Sequence, residues 1–291
     1  MIYIMKKAFF TSVALALSLV LSAQELHVEW EAITSQDFPA AVAKADSVCI
    51  IPMGVLEKHG PHLPLGTDAF NAHGLSVLAA QQEYCVVFPF YYVGQINEAR
   101  HTPGTIAYSP ELVYKMLEET CEEAARNGFK KIILYSYHGG NTALVQYFCQ
   151  NQLNSRRDYV VYQATHKNLP ERNETISKMR KSRSGGHADE LETSTIMVLQ
   201  PGLAKVEHAS DESGKDLDRL NLPNLRPGIW WYASYPNHYA GESSAANETL
   251  GKEVVDGRVE VIVKMIRDVK ADKVAPALQR EFFDRVDGLL K

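Results

Sequence analysis

Glu57 and His59 lie two apart in the stretch 48–70, VCIIPMGVLEKHGPHLPLGTDAF. In an extended segment both side chains point to one face. His62 follows, and Asp68 comes after a Pro-Leu-Gly turn that can return its carboxylate toward the same point. Imidazole with carboxylates and no thiolate suits Zn, Mn or Fe(II). The plainer role for these residues is a polar surface loop in which Asp68 caps the next helix. A second group stands at 138–141, where the apolar run KIILYSY delivers His138 to Gly139, Gly140 and Asn141. Ligands of open parallel sheets collect beyond the carboxyl ends of the strands. Two strand ends that present Glu57, His59 and His138 to one edge therefore favour a metal over a random polar loop.

A third group is HADELETS at 187–194. If 187–199 is one helix, His187 and Glu190 are three apart and share a face. Glu192 then points about 200° away from Glu190. One of the two glutamates faces the site while the other serves structure. A solvated acidic first turn, favoured by the helix dipole, is the plainer alternative.

The elements that must carry these groups alternate. Strand-like runs at 47–53, 85–90, 131–137 and 160–165 are separated by helical patterns at 68–82, 110–127 and 142–153. Ser109, Pro110 and Glu111 form a helix start by capping, fixed φ and first-turn acidity. This alternation predicts an α/β fold, a single three-layer domain with a mainly parallel sheet flanked by helices. The connection 91–109, carrying His101, is long enough to be functional. The charged stretch 167–186 reads as a mobile flap with room for a short helix. The stretch 208–243 is irregular and aromatic, and 248–270 is a long amphipathic helix.

Composition narrows the class. A net charge of -5 leaves no basic footprint for nucleic acid. Lys6 and Lys7 precede the charge-free run 8–21, and Leu21-Ser22-Ala23 supplies small residues before Gln24. That pattern predicts a signal peptide over 1–23, cleaved after Ala23, and an exported, periplasmic or extracellular domain over 24–291. A membrane anchor needs about twenty apolar residues. This run is shorter, and no later stretch could span a membrane. Cys49, Cys85, Cys121 and Cys149 fall in strand-like and helical apolar patterns and read as free core residues.

The motif Glu57-Lys58-His59-Gly60-Pro61-His62-Leu63-Pro64, followed by Gly66-Thr67-Asp68, resembles the signature of the creatininase (creatinine amidohydrolase) family. Pro103-Gly104-Thr105, His138-Gly139-Gly140-Asn141 and the 187–194 segment match in the family's order, so the resemblance spans about Phe38 to Lys270. It implies a metal-dependent hydrolase of a non-peptide, often cyclic amide, with two divalent ions per subunit, Zn, Mn or Fe. It also implies a ring-like or hexameric homo-oligomer, for which the aromatic stretch 230–239 is a candidate contact. The implied metal ligands are Glu57, His59, Asp68, His138 and Glu190, with Asp68 bridging, and His187 is the implied proton-handling residue. Substrate contacts are expected from His101, Gly139 and Gly140.

The chain departs from creatininase proper in one motif. There the positions of Gly139 and Gly140 hold Tyr and Glu, and that Glu binds metal. Other members share the Gly-Gly form and carry a Glu matching Glu190, which implies that Glu190 supplies the missing carboxylate. The tryptophans that enclose creatinine have no match, because 155–187 contains no Trp. Creatinine itself is therefore not the expected substrate. Two other classes compete. Gly241-Glu242-Ser243-Ser244-Ala245 resembles a nucleophile elbow with Ser243 as nucleophile, which needs a strand directly before it and a helix after. A non-enzymatic metal- or ligand-binding protein would keep the ligands but not the proton donor.

Overall fold

Alternate residues of the first strand, Val48–Met53, face opposite layers, and all six are buried. Cys49, Ile51 and Met53 join one apolar cluster, while Val48 and Ile50 join another. A strand buried on both faces needs helices above and below the sheet. The computed structural model, which describes residues 26–164 and 169–289, has that arrangement. The signal-like segment 1–23 and its cleavage point lie outside the described residues.

In chain order the main elements are α1 (Phe38–Lys44), β1 (Val48–Met53), α2 (Thr67–Gln82), β2 (Val86–Val87), α3 (Pro110–Arg126), β3 (Lys131–Ser136), α4 (Asn141–Asn151) and β4 (Val160–Gln163). They are followed by α5 (Pro170–Met179), β5 (Gly185–His187), α6 (Glu190–Leu199), α7 (Trp230–Ser234), β6 (Ala240–Gly241), α8 (Glu248–Ala271) and α9 (Val274–Asp287). The sheet runs β2-β1-β3-β4 and every pairing in it is parallel. Ile50 stands opposite Ile133 at its centre. Residues of α1, α3 and α4 fill the cluster on one face, and residues of α2 and α8 fill the other. The expected strand 85–90 shortens to two residues, since Pro89 has no N–H to extend the ladder.

Two departures from expectation bear on the site. The 167–186 stretch is not a flap in its described part. Helix α5 is docked on α8, with Arg172 bridging Glu253 and Glu260 at 2.6 Å each, and Ile176 buried beside Leu250 and Val254. The expected helix 187–199 starts three residues late. His187 belongs to β5, Ala188 takes a left-handed φ of 55°, and Asp189 caps α6 by accepting from the N–H groups of Leu191 and Glu192. An aspartate at this position satisfies helix donors that would otherwise be orphaned, so it stops the helix from extending backward.

Candidate metal centre and active site

The first group is built where β1 ends. Gly54 follows the strand directly, and a Cβ there would lie 2.7 Å from the carbonyl carbon of Asp68 and overlap the backbone of Ala69. Only a glycine lets the N-terminus of α2 come this close, and that approach carries Asp68 back to the strand end. The intervening loop closes on itself, with Glu57 N–H donating to Leu65 C=O and Leu63 N–H donating to His59 C=O. Glu57 and His59 are fully buried, and Asp68 is nearly so.

The second group is built where β3 ends. Asn141, the first residue of α4, accepts from Gln95 N–H at 2.9 Å and donates to Ser136 Oγ at 3.2 Å. The Gln95 loop is thereby held beside His138, whose Nε2 donates to Gln95 C=O at 2.8 Å. With Nε2 carrying the hydrogen bond, Nδ1 is turned inward, 2.9 Å from Glu57 Oε1 and 3.0 Å from Asp68 Oδ2.

His59 is oriented by the same logic with the nitrogens exchanged. Its Nδ1 faces Glu57 C=O at 3.3 Å, and its Nε2 lies 3.3 Å from Asp68 Oδ1 and 4.0 Å from Glu192 Oε2. Three overlapping clusters of donor atoms result, Glu57–His59–His187, Glu57–Asp68–His138 and His59–Asp68–Glu192, the last two sharing Asp68. Its two oxygens point to different histidines. Glu57 Oε1, His59 Nε2 and Asp68 Oδ2 are buried and make no hydrogen bond. Unsatisfied buried polar atoms are costly, and several converging on one spot are what a cation would satisfy.

Electrostatics supports the same picture. Burial alone would lower the pKa of His59, but the charges of Asp68, Glu57 and Glu192 outweigh it and raise it to about 9. His138 is raised well above the usual range by Glu57 and Asp68, again against burial. Burial works to raise Glu57, yet His138 and His187 hold it well below the carboxylate range. Glu192 is pushed up to about 7, mainly by burial and then by the charges of Asp68 and Asp189. Imidazole protons thus balance the carboxylates where a divalent cation is the alternative.

Of the residues expected at the site, the structure brings Glu57, His59, Asp68 and His138 together and leaves Glu190 out. Glu190 is fully buried, but its carboxylate accepts from Lys181 N–H at 3.0 Å and Ser182 N–H at 2.6 Å, tying α6 to the end of α5. Glu192 takes the place at the cluster, with Oε2 also accepting from Ala188 N–H at 2.5 Å. His187 and Glu190 share no helical face, because His187 is not on the helix. His187 instead packs its ring on His59 at 4.1 Å between centroids, and its Nε2 donates to Lys58 C=O at 2.9 Å. Burial, followed by the neighbouring charge of His59, pushes its pKa down to about 3.

His101 stands apart. It is exposed, its Nε2 donates to Pro236 C=O at 2.8 Å, and it stacks edge-on against Tyr232. Gly139 is open to solvent. Gly140 is constrained, since a Cβ there would overlap His138 Nε2 and lie 2.7 Å from Gln95 Oε1. Ser243 is no nucleophile. It is buried, its hydroxyl is bonded to Tyr239 OH at 2.7 Å, and no histidine among the described residues reaches it. One site residue escaped sequence reasoning. His238 is buried in the irregular 208–243 stretch and hydrogen-bonds Glu57 Oε2 through Nε2.

The family model for creatinine amidohydrolase (creatininase) matches residues 31–266. The chain belongs to the creatininase family. A 3-dehydro-scyllo-inosose hydrolase of Thermotoga maritima is 24% identical, over 86% of this chain and 87% of that one. A mycofactocin precursor peptide peptidase of Mycobacterium ulcerans is 25% identical, over 75% of this chain and 83% of the relative. A solved creatininase in its manganese form has a TM-score of 0.70 at 19% identity, covering 84% of this chain and 100% of that one. Another, a zinc–zinc variant, has a TM-score of 0.69 over 84% and 99% of the two chains. The creatininase fold is thus shared. The names of these family relatives span unlike substrates, so membership does not fix what this chain hydrolyses.

Proposed function

We propose that this creatininase-family hydrolase is an exported, metal-dependent amidohydrolase that opens a small non-peptide amide, cyclic or formamido, and that creatinine is not its substrate. The observation that carries the proposal is the convergence of three buried, unbonded donor atoms, Glu57 Oε1, His59 Nε2 and Asp68 Oδ2. With His138 and Glu192 they form a donor set of carboxylates and imidazoles without thiolate, which fits a divalent pair. Glu57, Asp68 and His138 would hold one ion and His59, Asp68 and Glu192 the other. Manganese and zinc–zinc forms of similarly folded creatininases support the reading. When bound, such a pair lowers the pKa of water and polarises a carbonyl oxygen.

The chain's own residues do the rest. His138 and His59 are held in their tautomers by the carbonyls of Gln95 and Glu57, so neither ring can turn its lone pair away. His187 donates from Nε2 to Lys58 C=O, which leaves Nδ1 of the neutral ring to accept a proton and return it to the leaving nitrogen. Burial keeps that ring neutral. Trp231 stands edge-on to His187 at 5.7 Å, its indole half-buried against that ring. A turn with Gly139 open and no aromatic matching the creatinine-enclosing tryptophans argues for a different ligand shape.

The test is a screen of lactams, formamido compounds and simple amides with metal-loaded protein, before and after EDTA. Turnover abolished by EDTA and restored by metal supports the proposal, and EDTA-resistant turnover contradicts it. Creatinine turnover at an ordinary enzymatic rate, about 1–1000 per second, would overturn the exclusion of creatinine.

Export is supported by Lys6, Lys7 and the charge-free run to Leu21, and N-terminal sequencing of the secreted form should begin at Gln24. Assembly into a homo-oligomer is supported by exposed Leu225 and Ile229, at 69% and 60% relative exposure, beside α7. A monomer by light scattering would contradict it.

A further inference from the structure

The side chains of Trp231, His238 and Glu57 form a chain of hydrogen bonds behind the candidate metal centre. Trp231 Nε1–H donates to His238 Nδ1 at 3.0 Å. His238 Nε2 in turn meets Glu57 Oε2 in a short contact. An indole nitrogen can only donate, so His238 Nδ1 must accept and can carry no proton. The single proton of the neutral ring therefore sits on Nε2 and is given to Glu57 Oε2. That bond satisfies one oxygen of Glu57 and leaves the other, Oε1, facing Asp68 and His138 with no hydrogen-bond partner.

We propose that Trp231 and His238 are positioning residues that select Oε1 of Glu57 as its metal-binding oxygen, Trp231 acting by holding the ring of His238 in line with Glu57. The backbone is built to aim the ring. His238 holds a left-handed φ of 51°, an uncommon conformation for a residue other than glycine. Its N–H donates to Tyr235 C=O at 3.0 Å, and its C=O accepts from Gly60 N–H at 3.2 Å. Gly60 lies between His59 and His62, so the peptide that places His238 is fastened to the same loop that carries Glu57. The relay thus couples the aromatic 230–239 segment to a loop far from it in sequence. No short motif announces this, because the partners stand 181 and 7 residues apart.

The part of this inference that concerns metal rests on the metal-centre reading above, and the test separates the two. The first measurement uses metal-free protein labelled with 15N-histidine, in which long-range proton–nitrogen correlation reports the tautomer of each ring. His238 should be the pure Nε2–H form. Trp231→Phe keeps the ring against His187 but removes the donor, and should move the Nδ1 resonance of His238 toward that of a nitrogen without a hydrogen bond while Nε2–H persists. A wild-type Nδ1–H form, or no change in Trp231→Phe, overturns the relay whatever the metal does.

The second measurement is zinc affinity by competition with a chromogenic chelator. Trp231→Phe and His238→Ala should each weaken binding about 10- to 100-fold, the usual cost of removing a group that orients a ligand. His238→Gln, whose amide N–H reaches the same oxygen, should recover most of that loss. Folding damage would not be repaired by that exchange. Wild-type protein that binds no zinc contradicts the metal-centre reading and leaves the tautomer result standing. Wild-type binding that His238→Ala leaves unchanged overturns the relay alone.

Discussion

Glu190 and Glu192 are two residues apart on the first turn of α6, yet they serve opposite purposes. Glu192 Oε2 lies 4.0 Å from His59 Nε2, while Glu190 accepts from the N–H groups of Lys181 and Ser182. Glu192→Gln should therefore lose one ion and nearly all turnover, since a neutral amide cannot offset a second divalent charge. Glu190→Ala should keep both ions and cost about 1–3 kcal/mol of stability, the range for buried donors left without a charged acceptor. Metal counts and denaturant melts on the two variants check this.

His187→Ala should retain both ions and lose turnover about 100- to 10,000-fold, the usual contribution of a general acid or base. Rates under saturating metal make the comparison. A variant that loses metal instead would move His187 from proton handling to ligation, a role its proximity to Glu57 and His59 leaves open to trial.

Gly140→Ala should damage the centre although it adds one methyl group, because that carbon would overlap His138 Nε2 and crowd Gln95. The hydrogen bond from His138 Nε2 to Gln95 C=O would break, and the ring would lose its orientation. We expect zinc affinity to fall about 10- to 100-fold, read by chelator competition. For the same reason, a glutamate placed at 140 should not rescue Glu192→Gln.

The metal-free protein should lose stability as pH rises above 7. The pKa of His59 is raised from 6.5 to about 9, so its contribution is full below 6.5 and lost as pH rises through 9. Glu192 is raised from 4.5 to about 7 against its charged form, so it too lowers stability across that interval as pH rises. His62 and His187, depressed to about 4 and about 3, act the other way and destabilise on acidification below 6.5. Above pH 7 the folded state binds more protons than the unfolded one, and stability falls by an amount on the order of 1–3 kcal/mol toward pH 9. Added zinc should reverse the slope, because it binds the deprotonated site. Calorimetric melts from pH 5 to pH 9, with and without zinc, show both signs.

The layered fold was legible because strands buried on both faces leave continuous apolar runs, as in 48–51 and 131–135, and caps such as Ser109-Pro110 mark helix starts. Four residues of the cluster, Glu57, His59, Asp68 and His138, were legible as candidates because each stands at a strand end or just past a turn. Glu192 rather than Glu190 faces the cluster because the helix starts at 190 and not at 187. Had Asp189 been read as the cap, the D-x-x-E spacing to Glu192 would have placed that glutamate on the third helical residue, reaching back toward Ala188. His238 left no local signal, since its role is set by contacts with Glu57 and Trp231 that only the folded chain brings together.

The central claim is that this centre holds a pair of divalent ions. Elemental analysis of the wild-type chain after metal-supplemented purification and desalting tests it most directly. The structure predicts close to two ions per chain, shared between Glu57–Asp68–His138 and His59–Asp68–Glu192. A chain that folds normally and retains no stoichiometric divalent metal would contradict it.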